Sequence, residues 1–285
     1  MKRVRGCCAA CCEQPRSFRR PRLKVSDKVI RFEDEIPDSV CVPCCLQGVH
    51  PIESNKGIHY MVKVTNVCEC AAHRAVQRIF NKKSVSVVKH VECRSAWPDT
   101  CVVVMRDLGP DLMQMAMRKP IPPLQAMKQL KRVADTVETL HKEGYSHNDI
   151  KPENICQGNL IDFGSMKQLH VQKADCYGST PGYFKESTLG KPLTRQFDTY
   201  GLAVTAGVVL YRDMPPKDTE LTREKAQKWG EQCNSEFAPF VAELFAHTTA
   251  KAMSEAFEQE ITKLERDHAL RHAQGLPVSG RTATI

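Results

Sequence analysis

Apolar and polar residues alternate over His59–Val64 (HYMVKV), which predicts a half-buried strand. The run CVVVMRDLGPDL (101–112) predicts a continuous apolar strand that runs into a turn at Gly109-Pro110. Short strands of this kind account for residues from about 36 to 108, with one interruption. In CECAAHRAVQRIF (68–80), Ala72, Ala75, Val76 and Ile79 fall on one helical face. Beyond residue 108 the period lengthens to that of a helix. Leu124, Met127, Leu130, Ala134, Val137 and His141 form a stripe over 122–143, with Pro122 at its start and Gly144 just past its end. Gln196–Tyr211 is apolar on nearly every side, which predicts a buried helix. Phe240, Val241, Leu244 and Phe245, followed by Met253, Phe257, Ile261 and Leu264, predict two closing helices that serve the core. The final GLPVSGRTATI reads as a loose tail.

Composition changes this picture at the N-terminus. The chain has 285 residues, enough for one large domain or two small lobes, and a formal charge of +8. Residues 1–24 hold eight Lys or Arg against Glu13 alone, so the charge sits in the first stretch and the body is nearly neutral. Residues 1–32 also lack apolar periodicity, and the expectation is a basic, Cys-rich disordered tail. Nucleic-acid binding is therefore not expected outside that tail. No apolar run is long enough to span a membrane, and MKRVRG leads into cysteines and arginines rather than a signal-peptide core. The fourteen cysteines are read as reduced thiols in a chain far longer than disulfide scaffolds. Cys8/Cys11 and Cys41/Cys44 have the number and type of ligands for zinc. Thioester lipidation beside the basic residues and tail cysteines without function are the other two readings.

The candidate chemistry lies in YSHNDIKPENICQGNLIDFG (145–164). Asp149 can accept the proton of an attacking hydroxyl, and Lys151 can neutralise a moving phosphoryl group. Asn154 and Asp162 can hold a metal that bridges nucleotide phosphates. A polar turn between helix and strand is the plain alternative. HNDIKPEN resembles the catalytic loop of eukaryotic protein kinases, HRDLKxxN, and Asp162-Phe163-Gly164 resembles their DFG turn.

That resemblance implies an α+β, bilobal protein-kinase fold: a small β-rich N-lobe over 33–108 and a mainly helical, trimmed C-lobe over 109–275, with 276–285 as a tail. It places Lys63 on the strand that corresponds to VAIK, pairing with the α- and β-phosphates of ATP and with a Glu of the next helix. Glu69 is the only acid in that helix, and a solvated first-turn Glu is the competing reading. Gly48 would be the third glycine of the phosphate-covering loop, with Pro43 and Cys45 at the first two glycine positions. Proline cannot donate an amide hydrogen there, and cysteine does not take glycine-only conformations.

VMRDLGPDL is similar to the hinge of the casein kinase 1 and vaccinia-related kinase branch. Met105 would then back the adenine pocket, with the backbone of Arg106 and Leu108 bonding the base. An ordinary core strand explains the same residues. STPGYFKES (179–187) is similar to GTPGYMAPE, so Thr180 would contact Asp149 and Lys151. Glu186, shifted by one, or Ser187 would stand for the closing APE glutamate. Asp198 resembles the acid that holds the catalytic-loop backbone, or caps its own helix.

The resemblance implies ATP- and Mg²⁺-dependent phosphorylation of Ser or Thr on protein substrates, with Lys151 the residue that separates this from tyrosine specificity. The setting would be cytoplasm or nucleus, a host cell's if the chain comes from a large DNA virus, as short trimmed kinases of this kind suggest. A pseudokinase scaffold is the alternative, and a small-molecule kinase sharing HxDxxxxN is a third. Asn148 stands where many kinases carry the Arg that binds a phosphorylated activation loop, so loop phosphorylation is not expected to be required.

Overall fold

The apolar run before Gly109 becomes one of the two inner strands of an antiparallel sheet in the computed structural model of the chain. The residues described are 22–25, 28–31, 48–53, 59–80, 92–97, 100–118, 121–174, 179–217 and 220–274. By contact density the chain divides into two compact units, Met1–Arg78 with Val88–Asp107, and Ile79–Val87 with Leu108–Ile285.

In the first unit, β3 (Gly48–Glu53), β4 (His59–Asn66), β5 (Glu92–Trp97) and β6 (Thr100–Arg106) form a four-stranded sheet in the order β3-β4-β6-β5. Lys63 lies opposite Val103 and Met61 opposite Met105. Directly opposed residues share a face. Val103 and Met105 are buried, so Lys63 rises from the covered side of the sheet. β4 passes into α1 (Val67–Phe80) with no residue between them. On α1, Ala75, Val76 and Ile79 are buried as the periodicity predicts. β1 (Arg22–Val25) and β2 (Lys28–Arg31) pair antiparallel inside the stretch read from sequence as a disordered tail. The disordered-tail reading is corrected for 22–25 and 28–31, which pair as strands. The cysteines at 8, 11, 41 and 44, together with Pro43 and Cys45, lie outside the described residues.

The second unit is mainly helical. α2 (Leu112–Arg118) and α3 (Pro123–Lys142) follow the turn, where Gly109 takes φ +78°. Met127, Leu130, Ala134 and Val137 of α3 are fully buried. Short strands β7 (Tyr145–Ser146), β8 (Ile155–Cys156), β9 (Asn159–Leu160) and β10 (Lys167–Gln168) pair as β7 with β10 and β8 with β9. Then come α4 (Gln196–Tyr211), α5 (Arg223–Gln232), α6 (Ala238–Leu244) and α7 (Ala250–Ala273).

α6 and α7 are the two closing helices; α2 and α5 were not foreseen. Both carry a readable start: the Asp111 carboxylate accepts from Gln114 N at 2.8 Å, and Thr222 Oγ1 accepts from Lys225 N at 3.4 Å. α5 buries only Ala226, Trp229 and Gly230, too few positions to register as a stripe. Trp229 nonetheless packs closely on α4: a Cβ on Gly207 would come within 2.4 Å of its ring. No helix among the described residues is long and apolar enough to cross a membrane.

Candidate active site

In the second unit, the chain leaves α3 through Gly144, whose φ of +83° ends the helix at little cost. It then enters the segment 146–162, held from beneath by Asp198 of α4. The Asp198 carboxylate accepts from His147 N at 2.9 Å, Asn148 N at 2.8 Å and His141 Nε2 at 2.8 Å. Burial by itself raises the pKa of this carboxyl, but the His141 bond and charge and the Asn148 amide bring it below the ordinary value. The cap position of α4 is Arg195, with no side-chain cap bond, so Asp198 serves the loop and is not the cap. α4 comes this close because residue 201 is glycine: a Cβ there would lie 3.0 Å from the carbonyl oxygens of Ile150 and Tyr183.

Asn148 adopts φ +67°, a conformation asparagine tolerates better than most residues. Its amide donates to Ser165 O at 2.9 Å and accepts from Ser146 Oγ at 2.9 Å. Ser179 Oγ donates to its main-chain carbonyl at 2.8 Å. One neutral side chain thus links the loop to the residue after Asp162-Phe163-Gly164, and its backbone links the loop to the start of STPGY.

Asp149 is buried, with both carboxylate oxygens engaged. Oδ2 accepts from Lys151 Nζ at 2.8 Å and from Asn154 Nδ2 at 2.9 Å. Oδ1 accepts from Thr180 N at 3.0 Å and Thr180 Oγ1 at 2.7 Å. Lys151 Nζ also donates to Thr180 Oγ1 at 2.7 Å. Asp149, Lys151, Asn154 and Thr180 therefore form one hydrogen-bonded cluster.

Asn154 ends a 3-10 turn (Pro152–Asn154), and its carbonyl accepts from Ile161 N at 2.9 Å. His147 Nε2 lies 3.1 Å from Ile161 O, and its Nδ1 accepts from Asp149 N at 3.3 Å. One donating and one accepting nitrogen describe a neutral ring, and burial lowers the His147 pKa despite the charges of Asp198, Asp162 and Asp149. Asp162 follows at φ +60°, its Oδ1 accepting from Gly164 N at 3.3 Å. Phe163 is buried, its ring edge-on to His147 at 5.1 Å. Asp162 and Asn154 offer carboxylate and amide oxygens, hard donors of the kind Mg²⁺ takes. Mg²⁺ commonly uses one or two protein carboxylates and completes its shell with phosphate and water, so the donor set fits it. Among the described residues no group of three or more metal-ligating side chains converges.

In the first unit, Lys63 Nζ lies 2.7 Å from Glu69 Oε1. Glu69 is 5 % exposed and also takes the Thr65 hydroxyl, with His73 Nε2 at 3.5 Å. Burial pushes the Glu69 carboxyl up, but bonds from His73, Lys63 and Thr65 and the Lys63 charge outweigh it and hold the pKa at about 2. The solvated first-turn reading of Glu69 is overturned by this burial and pairing. Thr65 and His73 escaped the sequence reading, although Thr65, Glu69 and His73 stand at helical spacing. Gly48 opens β3 opposite Val64. Met105 is buried at the end of β6, Arg106 is exposed, and Leu108 is half-buried just beyond.

At the end of the 179–187 segment it is Ser187 that the structure bonds. Its N and Oγ donate to the Glu220 carboxylate at 3.3 and 3.0 Å.

An acid, a lysine and a hydroxyl bonded together beside a hard-oxygen pair are the parts of a phosphotransfer site, and the chain belongs to the protein kinase domain family, which it matches over residues 51–271. It is similar to serine/threonine-protein kinase pkn2 of Myxococcus xanthus, 26 % identical over 145 residues, 46 % of this chain and 18 % of that one. It is similar also to serine/threonine-protein kinase H1 of Homo sapiens, 32 % identical over 111 residues, covering 34 % and 26 % of the two chains. Serine/threonine-protein kinase cds1 of Schizosaccharomyces pombe is 29 % identical over 158 residues, 48 % of this chain and 34 % of that one. The chain thus spans 18 to 34 % of the length of these curated relatives.

Proposed function

We propose that this protein transfers the γ-phosphoryl group of ATP to Ser or Thr hydroxyls of protein substrates. The observation that carries the reading is the Asp149–Lys151–Thr180 cluster, with Thr180 Oγ1 bonded to both of the others at 2.7 Å. In this reading Asp149 orients the acceptor hydroxyl and takes its proton as the bond to phosphorus forms. Lys151 meets the charge of the phosphoryl group in transit, and Thr180 fixes the spacing between acid and lysine. Lys63, steadied by Glu69, receives the α- and β-phosphates. Asp162 and Asn154 would hold a magnesium ion, which supplies positive charge to the phosphate oxygens.

The names of the relatives support Ser/Thr specificity. VMRDLGPDL supports a place near the casein kinase 1 and vaccinia-related kinase branch. The reduced-thiol reading supports action in cytoplasm or nucleus.

The test is transfer of labelled γ-phosphate to a generic basic protein, run beside Asp149→Asn and Lys63→Met. The wild type is expected to label the acceptor on Ser and Thr. Each variant should lose about 10²-fold or more, the scale of a positioned general base or phosphate contact. Nucleotide binding without any turnover by the wild type would instead establish the pseudokinase reading, which Pro43 and Cys45 in the phosphate loop favour.

A further inference from the structure

Lys63 and Thr65 stand two residues apart on β4, so their side chains leave the same face of the strand, and both reach Glu69. Lys63 Nζ takes Oε1 at 2.7 Å, and the Thr65 hydroxyl donates to Oε2. His73 lies one turn further along α1, its Nε2 3.5 Å from Oε1. The two carboxylate oxygens thus meet three side chains, of which only Lys63 is assigned to the phosphates.

His73 occupies a place that packing alone would fill with an apolar residue. Glu69, His73 and Val76 stand at i, i+4 and i+7 of α1 and all three are buried, His73 at 2 % exposure. A histidine in such a stripe gives up the hydration of its ring nitrogens, which is unfavourable unless a partner replaces the water. The Glu69 carboxylate is such a partner. Burial favours its uncharged form, but the bonds from His73, Lys63 and Thr65 outweigh that, so it stays ionised at neutral pH.

We propose that His73 and Thr65 are positioning residues for the nucleotide lysine: they hold the Glu69 carboxylate in one rotamer, so that Lys63 is set for the α- and β-phosphates before ATP arrives. A neutral His73 with its proton on Nε2 donates to Oε1 beside Lys63, and Thr65 occupies Oε2. A glutamate held by one partner alone samples several rotamers, and a lysine paired with it moves with it. Fixing the carboxylate removes that disorder ahead of binding. The kinetic consequence rests on the ATP-dependent reading; the structural one rests on the Lys63–Glu69 geometry alone.

The experiment compares His73→Leu and Thr65→Val, which keep a side chain of similar size and remove the donor, with His73→Gln and Thr65→Ser, which keep one. The first readout on the full-length protein is acylation of Lys63 by sulfosuccinimidyl acetate without nucleotide, followed by mass spectrometry against the exposed Lys217. A carboxylate partner favours the protonated, unreactive amine. Lys63 is therefore expected to react at least about threefold faster in His73→Leu and Thr65→Val, and near the wild-type rate in His73→Gln and Thr65→Ser. The second readout is steady-state kinetics. KM for ATP is expected to rise about fivefold in the two apolar variants, the scale of one lost hydrogen bond, with kcat held within about twofold.

An unchanged Lys63 acylation rate in both apolar variants overturns the proposal. So does a failure of His73→Gln and Thr65→Ser to differ from them, or a fall in kcat that matches the rise in KM. Should His73→Leu not fold, the two Thr65 variants decide, since Thr65 is half-buried on the strand. A wild type that binds no ATP strikes the phosphotransfer reading alone, and the acylation rates then decide whether His73 and Thr65 hold Glu69 for Lys63.

Discussion

Lys63 and Glu69 are six positions apart, and their side chains meet at 2.7 Å because β4 runs straight into the first turn of α1. Closing so short a loop costs little chain entropy, so the pair forms with the strand-to-helix junction itself. Glu69→Gln is expected to raise the KM for ATP about tenfold while leaving the Asp149 cluster intact. Stability should fall by about 1–2 kcal/mol, less than for a fully buried pair, since Lys63 is 19 % exposed. Steady-state kinetics and urea unfolding check both numbers. Equal loss in Glu69→Gln and Asp149→Asn would refute the division of labour.

Thr180 contributes a hydroxyl rather than bulk, because both of its side-chain bonds run through Oγ1. Thr180→Ser should retain turnover within a few-fold, whereas Thr180→Val should lose about 10²-fold in kcat with KM for ATP unchanged. Equivalent kinetics for the two variants would remove Thr180 from the site.

Asp198 accepts three hydrogen bonds inside the core, and removing it strands the amides of His147 and Asn148. Asp198→Ala is expected to cost about 3–5 kcal/mol, the range for breaking a buried charged network. Calorimetry would show this as a drop in Tm of roughly 10 °C. A shift under 3 °C would mean that the loop is held by something else.

His147 sets an acid limit on stability. Its folded pKa is lowered, so the unfolded chain binds the proton first as the pH falls through about 6.5, and unfolding is favoured from there downward. The contribution is complete above that pH and lost below it. Glu69, held at about 2, adds a second loss below the ordinary carboxylate range. Unfolding midpoints measured from pH 8 to 4 should fall below pH 6.5, and His147→Asn should flatten the upper part of that slope. An identical profile in the variant would contradict the assignment.

The amide of Asn148 is bonded to Ser165 O and Ser146 Oγ, and we propose that these neutral bonds stand in for an Arg and a phosphate. Phosphatase treatment should therefore leave turnover within about twofold, measured on protein whose dephosphorylation mass spectrometry has established. Loss of activity that returns with a phosphorylated residue in 175–180 would reverse this reading.

Much of this was legible along the chain. Met127, Leu130, Ala134 and Val137 could be assigned to one face because a helix repeats every 3.6 residues, and His59–Val64 to a strand because sides alternate. Asp149, Lys151, Asn154 and Asp162 could be grouped because a short loop keeps them near one another whatever surrounds it. α5 was missed because a helix that rests on one tryptophan has no stripe to read.

The amino-acid order alone therefore determined most of the elements, the grouping of polar residues in 146–162 and the family, since each depends on neighbours a few positions away. Tertiary structure decided between cap and anchor for Asp198, made Glu69 a buried partner, and brought Ser187 to Glu220. Each of those turns on which groups meet after chain segments come together in space, and on how much water is left around them. Local spacing carries no information on either.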